Sequence, residues 1–202
     1  MRNEGGVIYY RNRIMDAWKI NERVKRLALA PDVLALLEQL YGCRPLPFQT
    51  LNFVRGTEQA THSDAIHFSS LPSRYMCGVW VALEDIDMDN GPLVYYPGSH
   101  RLPEVTMQDL GLHSDKDDYP EYERHVAAVI EREGLEARYG VLGKGQAILW
   151  ASNLLHGGAP QADRSRSRHS QVTHVFFEGC RYYTPMLSDS ERTHWRDPTW
   201  IA

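Results

Sequence analysis

The sequence predicts a mainly β protein with flanking helices, and three observations carry that expectation. Between Phe48 and Gly179, six short runs rich in Val, Ile, Tyr, Phe and Trp are each bounded by Gly, Pro, Asn or Asp, as strands of a sandwich or barrel are. Before residue 47 the apolar residues are spaced as on helices, and after it that spacing is lost. The chain has 202 residues, 43% hydrophobic and 24% charged, which suits one domain with a real core.

In order, "RIMDAWKINERVKRLALA" places Ile14, Trp18 and Val24 at helical intervals. "PDVLALLEQLYG" adds Pro31 near a helix start and Gly42 as a stop. Strands are expected in "FQTLNFVRG", "YMCGVWVALED", "GPLVYYPGS", "EARYGVLG", "QAILWAS" and "SRHSQVTHVFFEG". The polar insertion at 101–135 is Asp-rich in its first half and helically spaced in its second. It is too long for a simple turn and is expected to act as a lid. The organisation is a single domain over 1–202: helical support at 1–46, a β core at 47–183 carrying the insertion, and a tail at 184–202.

A net charge of −4 gives no basic field for nucleic acid. "MRNEGGVIYYRNR" lacks the apolar stretch of a signal peptide, and no run approaches a membrane span, so a cytoplasmic location is expected. Cys43, Cys77 and Cys180 are odd in number and far apart, which fits small core residues better than disulfides or a zinc knuckle.

The stretch "EQATHSDAIHF" holds His62, Asp64 and His67 within six positions. On an extended segment His62 and Asp64 project to one side and His67 to the other, unless the chain turns after Asp64. His-x-Asp is thus a preformed pair of metal ligands, and it needs a third. His156 is one candidate, because it ends the apolar run "AILWASNLLH" and two glycines follow it. His113 and His125 fall in the polar insertion and His194 in the tail, while His100, His169 and His174 stay open on residue type alone. Two imidazoles and one carboxylate leave coordination positions free, which suits Fe(II) that binds a bidentate cosubstrate and dioxygen together. Arg164, Arg166 and Arg168 share a parity, and Arg168 runs directly into an apolar strand, where a buried guanidinium implies an anionic partner.

With "THSDAIHF", "VWVALEDIDMDNGPLVYYPGSH", "LLHGG" and "RHSQVTH" in that order, the chain from about Phe48 to Tyr183 resembles the phytanoyl-CoA dioxygenase family of Fe(II)/2-oxoglutarate oxygenases. The resemblance implies a double-stranded β-helix, the jelly roll of cupin-like proteins. It implies His62, Asp64 and His156 as iron ligands and catalytic centre, Arg168 as the clamp on the distal carboxylate of 2-oxoglutarate, and Trp80 and Asn52 as further cosubstrate contacts. His67 and His100 then fall to supporting or packing roles. Gly158 stands where the family often has a serine, so one hydroxyl contact is missing or replaced. The N-terminal segment is short beside many relatives, so an element that closes the pocket is expected to be short or absent.

The implied activity is hydroxylation of an unactivated C–H bond of a small molecule, with O2 consumed and succinate and CO2 as coproducts. An iron halogenase would need a small residue where Asp64 stands. A jelly-roll binding module without catalysis has no need of His62, Asp64, His156 and Arg168 together. The substrate is a metabolite or natural-product intermediate, or an acyl-CoA if Arg164, Arg166 and Arg181 meet its phosphates.

Overall fold

Strands and helices follow one another as β1 (Arg2–Glu4), β2 (Val7–Tyr9), β3 (Arg13–Met15), α1 (Glu22–Ala28), α2 (Pro31–Tyr41), β4 (Pro45–Phe53), β5 (Ser69–Leu71), β6 (Met76–Ala82), β7 (Leu93–Tyr95), α3 (Tyr119–Arg132), β8 (Arg138–Tyr139), β9 (Ala147–Ala151), β10 (His156–Gly158), β11 (Ser170–Phe177) and β12 (Arg181–Tyr183). The computed structural model describes residues 2–10, 12–113 and 117–202. All strand pairings among them are antiparallel. One sheet runs in the order β1-β2-β3-β4-β11-β6-β9, and smaller sheets run β10-β7-β8 and β12-β5. This is the jelly-roll architecture expected from the sequence, and each run read as a strand contains one.

Period-two alternation on the central strands sorts the layers. On β6, Cys77, Val79 and Val81 face one way and pack with Val175 and Phe177 of β11 and with Leu27, Val33 and Leu37 of the helices. The other face carries Trp80 of β6, Phe53 of β4, Val172 of β11 and Trp150 of β9, which meet Leu93 and Tyr95 of the small sheet. The helices therefore back the large sheet, and the site lies between the sheets. Pro31 opens α2 and Gly42, at φ 71°, closes it.

Three expectations need correction. Residues 2–4, 7–9 and 13–15 are strands, not helix: Gly5 and Gly6, both at positive φ, make a two-residue hairpin turn that suits only glycine-like residues, and β3 pairs with β4. Ile14 therefore belongs to a strand, and α1 begins only after Asn21, whose Oδ1 accepts from Arg23 N at 3.0 Å. The insertion is packed in part, because Tyr122 and Val126 of α3 bury against Ile66, Met107 and Leu155; its residues 114–116 lie outside the described residues. Cys77 is a core residue, whereas Cys43 and Cys180 are only half-buried. No helix among the described residues is long and apolar enough to cross a membrane.

Gly78 of β6 leaves space for an indole. A Cβ there would lie 2.3 Å from the Trp150 ring. Gly78→Ala is expected to lower stability by about 1–3 kcal/mol through overpacking, read as a lower urea midpoint with altered tryptophan fluorescence. An unchanged midpoint would mean that Trp150 moves aside freely.

Candidate active site

Two backbone hydrogen bonds set the site. His62 N donates to His156 O and His156 N donates to His62 O, both at 2.9 Å, so the two residues stand opposite each other in a bonded antiparallel pair. Their rings lie 4.7 Å apart. Gly157 and Gly158 make this approach possible: a Cβ at 157 would meet Gln59 O at 2.8 Å, and one at 158 would meet Glu58 N at 2.8 Å. What comes close to the two glycines is thus the chain's own segment 57–61.

After Ser63 the chain does turn. A short helical turn at Asp64–Ile66, capped by the Ser63 side chain accepting from Ala65 N, swings Asp64 inward beneath the histidine pair. His62, Asp64 and His156 are all buried, with donor atoms within 4.8 Å of one another. Each imidazole points its Nδ1 at a carbonyl, His62 at Ala60 O and His156 at Leu154 O, both at 2.9 Å. With Nδ1 turned to the carbonyl, each ring presents its Nε2 to Asp64. Their distances to the carboxylate are each 3.8 Å.

Asp64 is 4% exposed. Burial alone would raise its pKa, but His156, His174 and His62 outweigh that and hold the carboxyl below the usual carboxylate range. Burial pushes His62 down to about 3, helped by His156. A buried carboxylate flanked by the Nε2 atoms of two imidazoles is a cation site in its chemistry, and the two-histidine, one-carboxylate set matches Fe(II) with free positions.

The sequence reading missed two members of this site. Trp150 Nε1 donates to Asp64 Oδ2 at 2.8 Å, and its ring centre lies 4.6 Å from that of His156. His174 Nε2 sits 3.7 Å from the same Oδ2, while its Nδ1 is 3.2 Å from Gln49 Oε1. Trp150 looked like any core aromatic in "AILWAS"; the glycine opposite it at 78 carried the only signal. The "PGSH" segment acts through Ser99, whose Oγ donates to Tyr96 O at 2.7 Å and accepts from Leu155 N at 2.9 Å, bracing the residue before His156.

A cavity of about 480 Å³ opens above this cluster, a size suited to small molecules. Arg168 lines it and is 4% exposed. Its Nη1 donates to Ser170 Oγ at 2.6 Å, its Nε has no partner, and its guanidinium lies 5.5 Å from the ring centres of Phe53 and Trp80. Desolvation lowers its pKa to about 10, so it stays charged at neutral pH. Arg164 and Arg166 lie outside the cavity, paired with Glu58 at 2.8 Å and Asp87 at 2.9 Å, and Arg181 stacks on Trp195. The "DNG" turn fixes the approach to Arg168, because Asn90 Nδ2 reaches Asp85 O and Ser167 O.

Trp80 lines the cavity as expected, and Asn52 does not. On β4 the inward residues are Gln49, Leu51 and Phe53; Asn52 has the other parity and donates to Gln171 Oε1 at 3.0 Å. Near Gly158, where the family often has a serine, Thr57 Oγ1 lies 2.9 Å from the position of a Cβ at 158, and Thr57 lines the cavity. His67 lines the cavity outside the three-residue cluster, with Nε2 3.3 Å from Tyr119 Oη. None of the described insertion residues lines the cavity, so the expected lid is not part of its wall. Arg13 and Met15 of β3 and Thr184, Met186, Leu187 and Arg196 of the tail stand there instead.

Residues 7–170 match the family described as Phytanoyl-CoA dioxygenase (PhyH). The chain belongs to the phytanoyl-CoA dioxygenase family. It is 27% identical over 193 residues to phytanoyl-CoA dioxygenase domain-containing protein 1 of Danio rerio, covering 88% of this chain and 56% of that protein. Against the peroxisomal phytanoyl-CoA dioxygenase of Bos taurus it is 27% identical over 174 residues, covering 80% and 48%. The chain thus spans about half the length of these curated relatives. Among solved structures it is similar in fold to the α-ketoglutarate-dependent epimerase SnoN of nogalamycin biosynthesis, with TM-score 0.66, 22% identity, and coverage of 93% of this chain and 71% of that one. The fold is likewise that of EctD from S. alaskensis with 2-oxoglutarate and 5-hydroxyectoine, with TM-score 0.65, 20% identity, and coverage of 93% and 64%.

Two outcomes follow from the geometry. Trp150→Phe keeps the ring and removes the bond to Asp64, so Fe(II) affinity measured by calorimetry is expected to fall about 10–100-fold with the fold intact; unchanged affinity would make the indole a packing group only. In the metal-free protein His62 is held at about 3 and His67, by burial first, at about 4, both below the ordinary 6.5. The unfolded chain therefore binds protons that the folded chain refuses, so stability is full above about pH 6.5 and falls as pH drops towards 4. Urea denaturation across that range checks it, and His67→Gln should flatten the slope.

Proposed function

We propose that this chain is an Fe(II)- and 2-oxoglutarate-dependent dioxygenase that hydroxylates an unactivated C–H bond of a small molecule. The observation that carries the reading is a single cavity lined by a buried His62–Asp64–His156 cluster and by the guanidinium of Arg168, which has no carboxylate partner among the described residues. His62 Nε2, Asp64 and His156 Nε2 would hold the metal. When bound, iron and 2-oxoglutarate supply the oxidation, with O2 consumed and succinate and CO2 released.

The chain's own residues do the positioning. Trp150 holds Asp64 Oδ2, so Oδ1 is the oxygen left to face a cation. Carbonyls of Ala60 and Leu154 fix the imidazole tautomers. Arg168 offers its free Nε and remaining N–H groups to a carboxylate, and an ion pair in this setting gains from desolvation already incurred in folding. Trp80 and Phe53 wall that end, Thr57 supplies a hydroxyl, and Leu51, Leu93 and Val172 keep the space apolar and exclude water.

Structural neighbours include an epimerase and a carbocyclase, SnoN and SnoK, so the fold is shared by enzymes whose outcome is not hydroxylation. Asp64 stands against a halogenase, and the convergence of all four residues favours an enzyme over a binding module. Product analysis decides: hydroxylation adds one oxygen from O2 to the substrate, whereas epimerisation or ring closure adds none.

In the loaded protein, succinate release from 2-oxoglutarate is expected to depend on Fe(II) and O2. Ala at His62, Asp64 or His156 should abolish metal binding in calorimetry. Arg168→Ala should weaken 2-oxoglutarate about 100-fold, for a loss of about 3 kcal/mol, with metal affinity kept. Arg164→Ala and Arg166→Ala should leave both unchanged; equal weakening by all three arginine variants would replace the clamp with a diffuse field.

A further inference from the structure

We propose that the primary substrate is a small organic acid whose anionic group is held by Arg196 of the tail, with Arg13 of β3 beside it, at the end of the cavity away from Arg168. This deepens the oxygenase reading and rests on it, since Arg168 is there assigned to the cosubstrate.

Charge in the cavity is unbalanced. Its lining holds three arginines, Arg13, Arg168 and Arg196, and a single carboxylate, Asp64, which the metal would use. Among the described residues no carboxylate pairs with any of the three. Arg196 donates Nη1 to Thr184 Oγ1 at 2.9 Å, while its Nε is buried without a partner. The acid nearest to it in effect, Asp16, is already engaged by Trp18 Nε1, Thr50 N and Lys19. Burial lowers the pKa of Arg196, and its single side-chain hydrogen bond, to Thr184, replaces only part of the water its charge has lost. Arg13 lies over the Tyr10 ring at 4.9 Å and acts by charge on His67 and Tyr119, with no ion pair to a carboxylate among the described residues.

Position separates this charge from the cosubstrate clamp. Arg168 lies by Phe53, at one end of β4, and Arg196 lies 5.9 Å from the ring centre of Phe48 and 4.9 Å from that of Phe68. Phe48 and Phe53 are five residues apart on the strand, roughly 16 Å at the usual rise. His174, paired across from Gln49, and the metal cluster fall between them. An anion on Arg196 would thus anchor the substrate from the side opposite 2-oxoglutarate. Met15, Phe68, Met186 and half-exposed Leu187 offer an apolar wall for its body. A guanidinium fork accepts carboxylate and phosphate alike, so the shared chemistry is an anion on an apolar frame.

The test is calorimetry under nitrogen on protein loaded with Fe(II) and saturating 2-oxoglutarate, titrated with hexanoate, hexyl phosphate and neutral hexanamide. At least one acid is expected to bind about tenfold or more tighter than the amide, and which acid does so tells carboxylate from phosphate. Arg196→Ala should bring that acid to the level of the amide with 2-oxoglutarate affinity unchanged; Arg196→Lys should retain part of the preference, and Arg13→Gln should lower it. Equal binding of acid and amide, no binding of either acid, or an Arg196→Ala protein that still prefers the acid overturns the proposal. Should Arg196→Ala not fold, the Lys and Arg13→Gln variants carry the same comparison. If 2-oxoglutarate itself fails to bind, the oxygenase reading fails, and the same titrations in Arg168→Ala without it still decide Arg196.

Discussion

A carboxylate buried between two sheets is the constraint on which the site depends. Asp64 would be costly in such a place without partners, and each partner makes its own demand on the fold. The Trp150 indole reaches it only because β6 carries glycine at 78. The histidine pair meets it only because Gly157 and Gly158 let segment 57–61 lie against β10. Ser99 then ties the "PGSH" turn to Leu155, and Tyr122 of α3 accepts from Ser63 N at 3.2 Å, behind the ligand turn. Elements distant in sequence are thereby locked around one charge.

The same logic orders the cavity. Positive charge stands at Arg168 and Arg196, which line the same cavity as Asp64, and aromatic rings flank both guanidiniums. Rings at these distances tolerate a cation without neutralising it. Helices α1 and α2 on the outer face of the large sheet take no part in the cavity lining; their contribution is to hold β6 and β11 in place. The cavity is a set of side chains grafted on a common fold, with the tail and the first strands supplying part of its wall.

Much of this was legible in the sequence because its signals are local. Strand runs bounded by Gly, Pro and Asn, the Pro31 and Gly42 limits of α2, and the His-x-Asp spacing all express short-range geometry, and the structure agrees with each. The order of motifs singled out His156 and Arg168 among many histidines and arginines. Errors arose where a local cue was weak or overruled. Ile14 and Trp18 have helical spacing, yet the glycine pair before them and pairing with β4 make the segment a strand and a turn. Asn52 was placed on the correct strand, but its parity is opposite to that of Gln49, Leu51 and Phe53, which line the cavity, so it pairs with Gln171 instead.

Residue type, neighbour spacing and the order of the motifs pointed to the layer type, to the His62–Asp64–His156 cluster and to one buried arginine, Arg168. Tertiary structure alone decided that Trp150 and His174 attend Asp64, that Thr57 lies against Gly158, and that Arg13 and Arg196 share the cavity. Each of those is a contact between segments tens of residues apart or more, and no periodicity along the chain encodes a distance across it.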